Sequence, residues 1–219
     1  MLAFISVLSI GRAFFYFALS PFWPVKGGTT GSNWSFEMMS PVVSLEMIHR
    51  IVITGAESTG KTSLARALSE RYAEPWTKEF VRDYVDSLTR ELNAGDLDPI
   101  ARGQFEIEDT GTERAQKLII HDTNILSSII YAKHYFATAL DWVDDHFKKR
   151  SYSLYLLCMP DIPWQADHGQ RESAEARDQL HALFKEQLVS LELPYVEISG
   201  SREARLKQAI KAIDEVIEP

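Results

Sequence analysis

The chain has one cysteine in 219 residues, Cys158. No disulfide can form within it, and no cysteine-rich metal module can be assembled. His49, His134, His146 and His181 show no metal-ligand spacing with cysteine or with one another, so the sequence does not support a structural zinc site. Basic residues are also in deficit, with 23 Lys and Arg against 31 Asp and Glu and a net charge of -8. The bulk footprint that neutralises nucleic-acid phosphates is missing, so nucleic acid is not expected as a partner. There is no internal repeat and no low-complexity tract. A hydrophobic content of 45% is enough for a proper core, which sets disorder aside.

The charge is unevenly placed. Residues 1–46 carry Arg12, Lys26, Glu37 and Glu46, which cancel, so the acidic excess belongs to the chain from Met47 onward. Met1 to Trp23 is apolar apart from Arg12, and a Gly/Ser/Thr/Pro-rich stretch follows. Three readings of this segment stand. In the first, translation begins near Met47. Alternatively the run is a membrane anchor burdened by a mid-span arginine, costing about 2.5–3.5 kcal/mol. As a secretory signal it lacks a cationic start. In each case residues 1–46 are expected to lie outside the catalytic fold, which occupies 47–219. A cytoplasmic location is expected, with a membrane as partner only if residues 1–23 are a true anchor.

From Met47 the pattern alternates between short β-branched runs and helical spacing. Strands are predicted at Ile48–Thr54, Pro75–Thr77, Leu118–His121, Tyr152–Cys158 and Tyr195–Ile198. Helical stretches are predicted over Lys61–Tyr72, from Phe80 to a stop at Asn93, from Asp98 to Gln116, over Thr123–Tyr135, Glu172–Leu191 and Arg202–Ile217. An acidic aromatic segment surrounds Trp142, and Met159–Arg171 reads as a long loop. Strands apolar on both faces and alternating with helices imply an α/β fold, a three-layer sandwich around a mostly parallel five-stranded sheet.

One motif carries chemistry. Gly55-Ala56-Glu57-Ser58-Thr59-Gly60-Lys61-Thr62, followed by Ser63, sits between a predicted strand and a predicted helix. The glycines let backbone amides wrap phosphate oxygens, Lys61 supplies a cation for the outer phosphates, and Thr62 offers a hydroxyl to Mg²⁺. ATP with Mg²⁺ is therefore the expected cofactor pair. An Asp-x-x-Gly switch and an Asn-Lys-x-Asp guanine reader are both missing, which argues against a GTPase. Asp122 is followed by Thr123 instead of a catalytic glutamate, which argues against a mechanical ATPase. A small-molecule kinase gains by both. A regulatory nucleotide-binding module stays open, as does a kinase of another nucleoside or nucleotide.

The loop, with Glu57-Ser58 inside it, resembles the ribosylnicotinamide kinase domain of bacterial NAD-biosynthesis regulators and its stand-alone relatives among AAA-type ATPases. Glu79-Phe80-Val81-Arg82-Asp83-Tyr84, His121-Asp122-Thr123, and Pro160-Asp161-Ile162-Pro163-Trp164 through Asp167, Gly169 and Arg171 agree with that family in order. The match runs from Met47 to the C-terminus. It departs at His168-Gly169-Gln170, where the family has a shorter step to the arginine. The resemblance implies ATP-dependent phosphorylation of the 5′-hydroxyl of nicotinamide riboside.

Phosphoryl transfer needs positioning and charge stabilisation. Asp122, at the carboxyl end of a strand, is the first candidate for a carboxylate near the attacking hydroxyl or for Mg²⁺ contact; its other use is as a helix N-cap. Glu79 and Arg82 are placed to meet the acceptor sugar, or are an ordinary helix-start pair. Arg171, with Arg177, would close over the phosphoryl group; the rival is a salt bridge with Glu172 or Glu175. Trp164 would stack on a base or anchor its loop. Ser199 to Arg202 lies where adenine is expected.

Overall fold

The computed structural model describes residues 47–163 and 174–218, all within the compact unit Ser44–Pro219. The readings placed on residues 1–46 and on Trp164, Arg171 and Glu172 lie outside the described residues. Five strands form one sheet: β1 (His49–Thr54), β2 (Trp76–Thr77), β3 (Leu118–Asp122), β4 (Leu154–Cys158) and β5 (Tyr195–Ile198). The helices are α1 (Lys61–Tyr72), α2 (Phe80–Asp86), α3 (Leu97–Arg114), α4 (Ile125–Phe136), α5 (Asp141–Lys148), α6 (Ala174–Ser190) and α7 (Arg202–Ile217).

The strand order is β2-β3-β1-β4-β5, and every pairing is parallel. The expected three-layer α/β sandwich is thus present, with a sheet parallel throughout. Alternation along β1 assigns the faces. Ile51 and Ile53 pack with Leu64, Leu68, Ala209 and Ile213 of α1 and α7, while Val52 packs with Phe105, Leu126, Val143 and Phe184 of α3, α4, α5 and α6. Both layers are dry because β1, β3 and β4 put buried side chains on each side, the pattern a doubly covered parallel sheet demands.

Three local expectations need correction. Helix α2 ends at Asp86 instead of running to Asn93, although Leu88 keeps helical phase. The Ser87 hydroxyl bonds back to the Tyr84 carbonyl at 2.6 Å, and Asn93 starts a 3₁₀ turn, Ala94–Asp96, through reciprocal capping with Asp96. Arg90 then holds the Asp96 carboxylate with two bonds of 2.7 Å. The acidic aromatic segment at Trp142 is a helix, with Val143 and Phe147 buried. Thr123 stands outside α4, in the left-handed region at φ 65°.

The approach of α3 to the sheet edge is close. A Cβ on Gly111 would lie 2.3 Å from Thr77 Cγ2. Gly111→Ala adds helix propensity of about 1 kcal/mol, but overpacking against a strand costs about 1–3 kcal/mol. We expect net destabilisation by urea titration, relieved when Thr77→Ser removes the opposing methyl.

Candidate functional site

β1, β3 and β4 deliver their carboxyl ends to one edge, with Ile53 level with Asp122 and Thr54 level with Leu157. The phosphate loop leaves that edge at Gly55, whose φ is 127° and whose added Cβ would meet the Cys158 carbonyl oxygen at 2.8 Å. Only glycine satisfies both conditions. Left-handed residues at Ser58 (φ 53°) and Gly60 (φ 80°) give the loop the backbone alternation from which anion-binding nests are made. The Thr59 hydroxyl braces it on the Ala56 carbonyl at 2.8 Å. Lys61 is 6% exposed, and its ammonium donates to the carbonyls of Gly55 at 2.9 Å and Ala56 at 2.7 Å. Helix α1 has no side-chain N-cap bond and no acid in its first turn. Its positive end therefore faces the loop with no acidic residue of its own first turn to compete, as an anion site favours. Ser63 is exposed in that first turn.

Thr62 donates its hydroxyl to Asp122 Oδ2 at 2.6 Å. Asp122 is 3% exposed, and its Oδ1 is buried with no hydrogen-bond partner among the described residues. Burial pushes the Asp122 carboxyl above the usual range, the Thr62 bond and Lys61 pull it down, and Glu79 adds to the rise. Among the described residues no cluster of three His, Cys, Asp or Glu could hold a metal. The Thr62 and Asp122 oxygens, 2.6 Å apart at the phosphate loop, offer two oxygen ligands that suit a cation keeping water and phosphate ligands, as Mg²⁺ does.

Beside Lys61 opens a cavity of about 1140 Å³, whose walls include Glu57, Glu79, Arg82, Gln104, Thr123 and Tyr131. Glu79 precedes α2 and pairs with Arg82 at 3.0 Å. The structure thus brings Lys61, Glu79 and Arg82 to one cavity, with Thr62 and Asp122 joined next to it. Arg177, assigned above with Arg171 to closure over the phosphoryl group, is committed elsewhere. Its guanidinium donates to the carbonyls of Ile162 at 3.0 Å and Pro160 at 2.9 Å, which anchors the strand-end segment.

Two supporting residues escaped the sequence reading. Arg205, 5% exposed, donates to the carbonyls of Thr59 at 3.0 Å, Met159 at 2.9 Å and Gly200 at 2.9 Å, and pairs with Asp161. One side chain thereby ties the phosphate loop to the loops after β4 and β5. Its signal was legible: Arg205, Ala209 and Ile213 share the i, i+4, i+8 stripe of α7 that faces the core. Glu108, fully buried, accepts from the Ile125 amide at 2.8 Å, the Tyr152 hydroxyl at 2.7 Å and Gln104 at 3.1 Å. It caps α4 directly after Asp122 and Thr123. Burial raises its pKa against those bonds.

An open parallel sheet, a nest after its central strand, a buried lysine and a threonine–aspartate pair define a phosphate-binding-loop nucleotide-binding domain. Residues 50–205 match the AAA domain family, and the chain belongs to it. It is 25% identical over 179 residues to the trifunctional NAD biosynthesis/regulator protein NadR of Escherichia coli (strain K12), across 78% of this chain and 43% of that protein. The Salmonella typhimurium (strain LT2) NadR is 25% identical over 177 residues with the same shares. The chain thus spans less than half the length of these relatives. Among solved structures, NadR in complex with NAD and AMP-PNP superposes with a TM-score of 0.67 at 22% identity, covering 78% of this chain and 50% of that one. NadR in complex with NR gives 0.67 at 23% identity, over 78% and 51%. Deoxyadenosine kinase from M. mycoides gives 0.53 at 10% identity, over 76% and 100%. The fold is that of NadR and of nucleoside kinases. Among the described residues no helix is long and apolar enough to cross a membrane.

Arg205→Met keeps the stem but removes the tether on the Thr59 carbonyl. Calorimetric titration is expected to show ATP binding weakened by about tenfold, the consequence of losing buried charge-assisted bonds. Unchanged affinity would mean that the loop holds its shape unaided.

Proposed function

We propose that this chain is an ATP-dependent nucleoside kinase that phosphorylates the 5′-hydroxyl of nicotinamide riboside, giving nicotinamide mononucleotide. We assign the domain to residues 47–219, with 1–46 outside it. The observation that carries the reading is the cavity walled by Glu57, Glu79 and Arg82 and opening beside Lys61. A pure nucleotide switch has no need of a second, ligand-sized space at the phosphate loop. Resemblance to NadR supports the acceptor chosen.

In this reading the nest from Gly55 to Thr62 and the positive end of α1 bind the β- and γ-phosphates. Lys61 exchanges its loop carbonyls for phosphate oxygens, so its charge follows the group in transfer. Thr62 and Asp122 would hold Mg²⁺, which would supply positive charge against the charge that develops on the phosphates. Glu79 lines the cavity, whereas Asp122 is bonded to Thr62, so Glu79 is the carboxylate assigned to the acceptor hydroxyl. A bond forms between the sugar oxygen and the γ-phosphorus, the bond to the β-phosphate oxygen breaks, the hydroxyl proton passes to Glu79, and ADP leaves. Arg82 orients Glu79. Arg171 is assigned as a further cation over the phosphoryl group, and Trp164 as a contact for the base.

A panel of nucleosides assayed for ADP release tests the proposal. Nicotinamide riboside is expected to accelerate release over the nucleoside-free rate; slow hydrolysis indifferent to every nucleoside would replace the kinase with a nucleotide-binding module. Lys61→Ala is expected to lower kcat by about a hundredfold or more with an unchanged far-ultraviolet spectrum, since it removes charge and little packing.

The pH profile follows from Asp122. In the free enzyme, before Mg-nucleotide binds, burial raises its carboxyl, so the neutral form persists to higher pH than for an ordinary aspartate, and the ionised form able to take Mg²⁺ appears only above that raised value. kcat/KM should therefore rise with pH along an acid limb displaced upward. Thr62→Val removes a bond that favours the ionised form and should move the limb further up; a limb fixed in place would show that another group controls it.

A further inference from the structure

Glu57 was grouped above with the residues that bind phosphate. Its backbone belongs there, but its side chain does not, because a carboxylate and a triphosphate repel. The structure gives it a different setting. Glu57 lines the cavity, and the hydroxyl of Tyr131, on the same wall, stands beside its carboxylate. Yet Glu57 Oε2 is buried with no hydrogen-bond partner among the described residues. A buried, unsatisfied carboxylate oxygen is costly, and such an atom in a cavity wall marks the place where a ligand donor completes the bonding.

A second atom points the same way. Ser127, 3% exposed on the first turn of α4, also lines this cavity, and its hydroxyl is buried with no hydrogen-bond partner among the described residues. Serines inside helices usually bond back to the preceding turn; this one does not. Tyr131, one turn further along α4, is held from two sides. It stacks on Tyr135 with centroids 5.9 Å apart and meets Phe184 edge-on at 5.8 Å. A fixed phenol thus stands beside the carboxylate.

We infer that Glu57 and Ser127 form a subsite for the sugar hydroxyls of the acceptor, Glu57 Oε2 accepting from one hydroxyl of the ribose diol and Ser127 bonding to the other, with Tyr131 positioning Glu57. This rests on the kinase reading. The donor is a sugar hydroxyl and not a base N–H because Glu57 belongs to the phosphate loop itself. The part of a nucleoside nearest a phosphoryl group bound there is the sugar that carries the 5′-oxygen. The consequence is selectivity for ribonucleosides: a deoxyribose would leave Glu57 Oε2 or Ser127 Oγ buried and unsatisfied, the asymmetry by which polar sites reject analogues lacking a hydroxyl.

The test compares nicotinamide riboside with its 2′-deoxy and 3′-deoxy counterparts, by ADP release, on the full chain and on Glu57→Gln, Ser127→Ala and Tyr131→Phe. The wild-type chain is expected to lose about 10- to 100-fold in kcat/KM when the hydroxyl facing Glu57 is removed, the range for a bond to a charged group. Glu57→Gln, close in shape, should reduce that discrimination to within about threefold of unity. Ser127→Ala should do the same for the other hydroxyl. Tyr131→Phe should raise KM with kcat largely kept, the mark of a positioning residue. Thermal melting verifies that each variant is folded. A wild-type chain indifferent to both hydroxyls, or a folded Glu57→Gln that keeps full discrimination, overturns the subsite while the kinase stands. If none of the three nucleosides is phosphorylated by the wild-type chain, the kinase reading falls and this inference falls with it.

Discussion

A single hydrogen bond, from the hydroxyl of Thr62 to the carboxylate of Asp122, joins two residues 60 positions apart. It exists only because β1 and β3 run parallel in a register that sets Ile53 against Asp122. Sliding β3 by one residue would turn Asp122 into a helix layer and bring His121 to the edge, since side chains alternate with a period of two. That register is enforced by apolar packing on both faces of the sheet, where Ile119 and Ile120 are fully buried. The hydrophobic core thus places a charged group it could not itself tolerate. In turn the Thr62 bond and the nearby Lys61 offset part of the desolvation that burial imposes on Asp122.

The loops around this contact carry few large apolar side chains, and buried ionic groups brace them instead. On the α1 and α7 side, the planar guanidinium of Arg205 donates to the Thr59, Met159 and Gly200 carbonyls together. On the opposite side, Glu108 holds the first turn of α4 through the Ile125 amide, and Asn124 donates to the Tyr155 hydroxyl at 2.9 Å. Thr123, between the two braces, keeps a left-handed backbone that a β-branched residue adopts at a cost of about 1–3 kcal/mol. Its amide bonds to the Ile53 carbonyl at 2.9 Å, so the turn that takes the chain from Asp122 to the cavity wall is locked to the central strand. Rigid surroundings of this kind let a strained turn persist.

Much of this was legible from residues alone, and the limits have physical causes. The bounds of α1, β5 and α7 follow from clean periodicity, and the glycine spacing with Lys61 located the loop. The overshoot of α2 to Asn93 arose because Leu88 stays in helical phase, while the signals that end the helix, the Ser87 back-bond and the Arg90–Asp96 pair, depend on side-chain geometry. Arg205 and Glu108 stood in plain sight as charged members of apolar stripes, but a charge on a core face reads as noise until its partners are seen. The cavity was beyond reach. Its walls come from the phosphate loop, α1, α2, α3, α4, α5 and the connections between them, which only tertiary packing assembles.

The electrostatics resolve an apparent conflict between a net charge of -8 and a site built for a polyanion. Charges scattered over the surface act on a ligand through water and salt, where fields fade over roughly 8–10 Å. The amides of the nest, the end of α1 and buried Lys61 act at contact distance in a medium that screens little, so the local sign prevails over the total. An extended polyanion must lie across the acidic exterior and meets the unscreened remainder of that field along its length. A nucleotide tucked into the sheet edge would present its phosphates only to the loop. An acidic balance of this kind would work together with an anion nest, leaving short, chelated phosphates free to bind while opposing polymers that carry the same group in repetition.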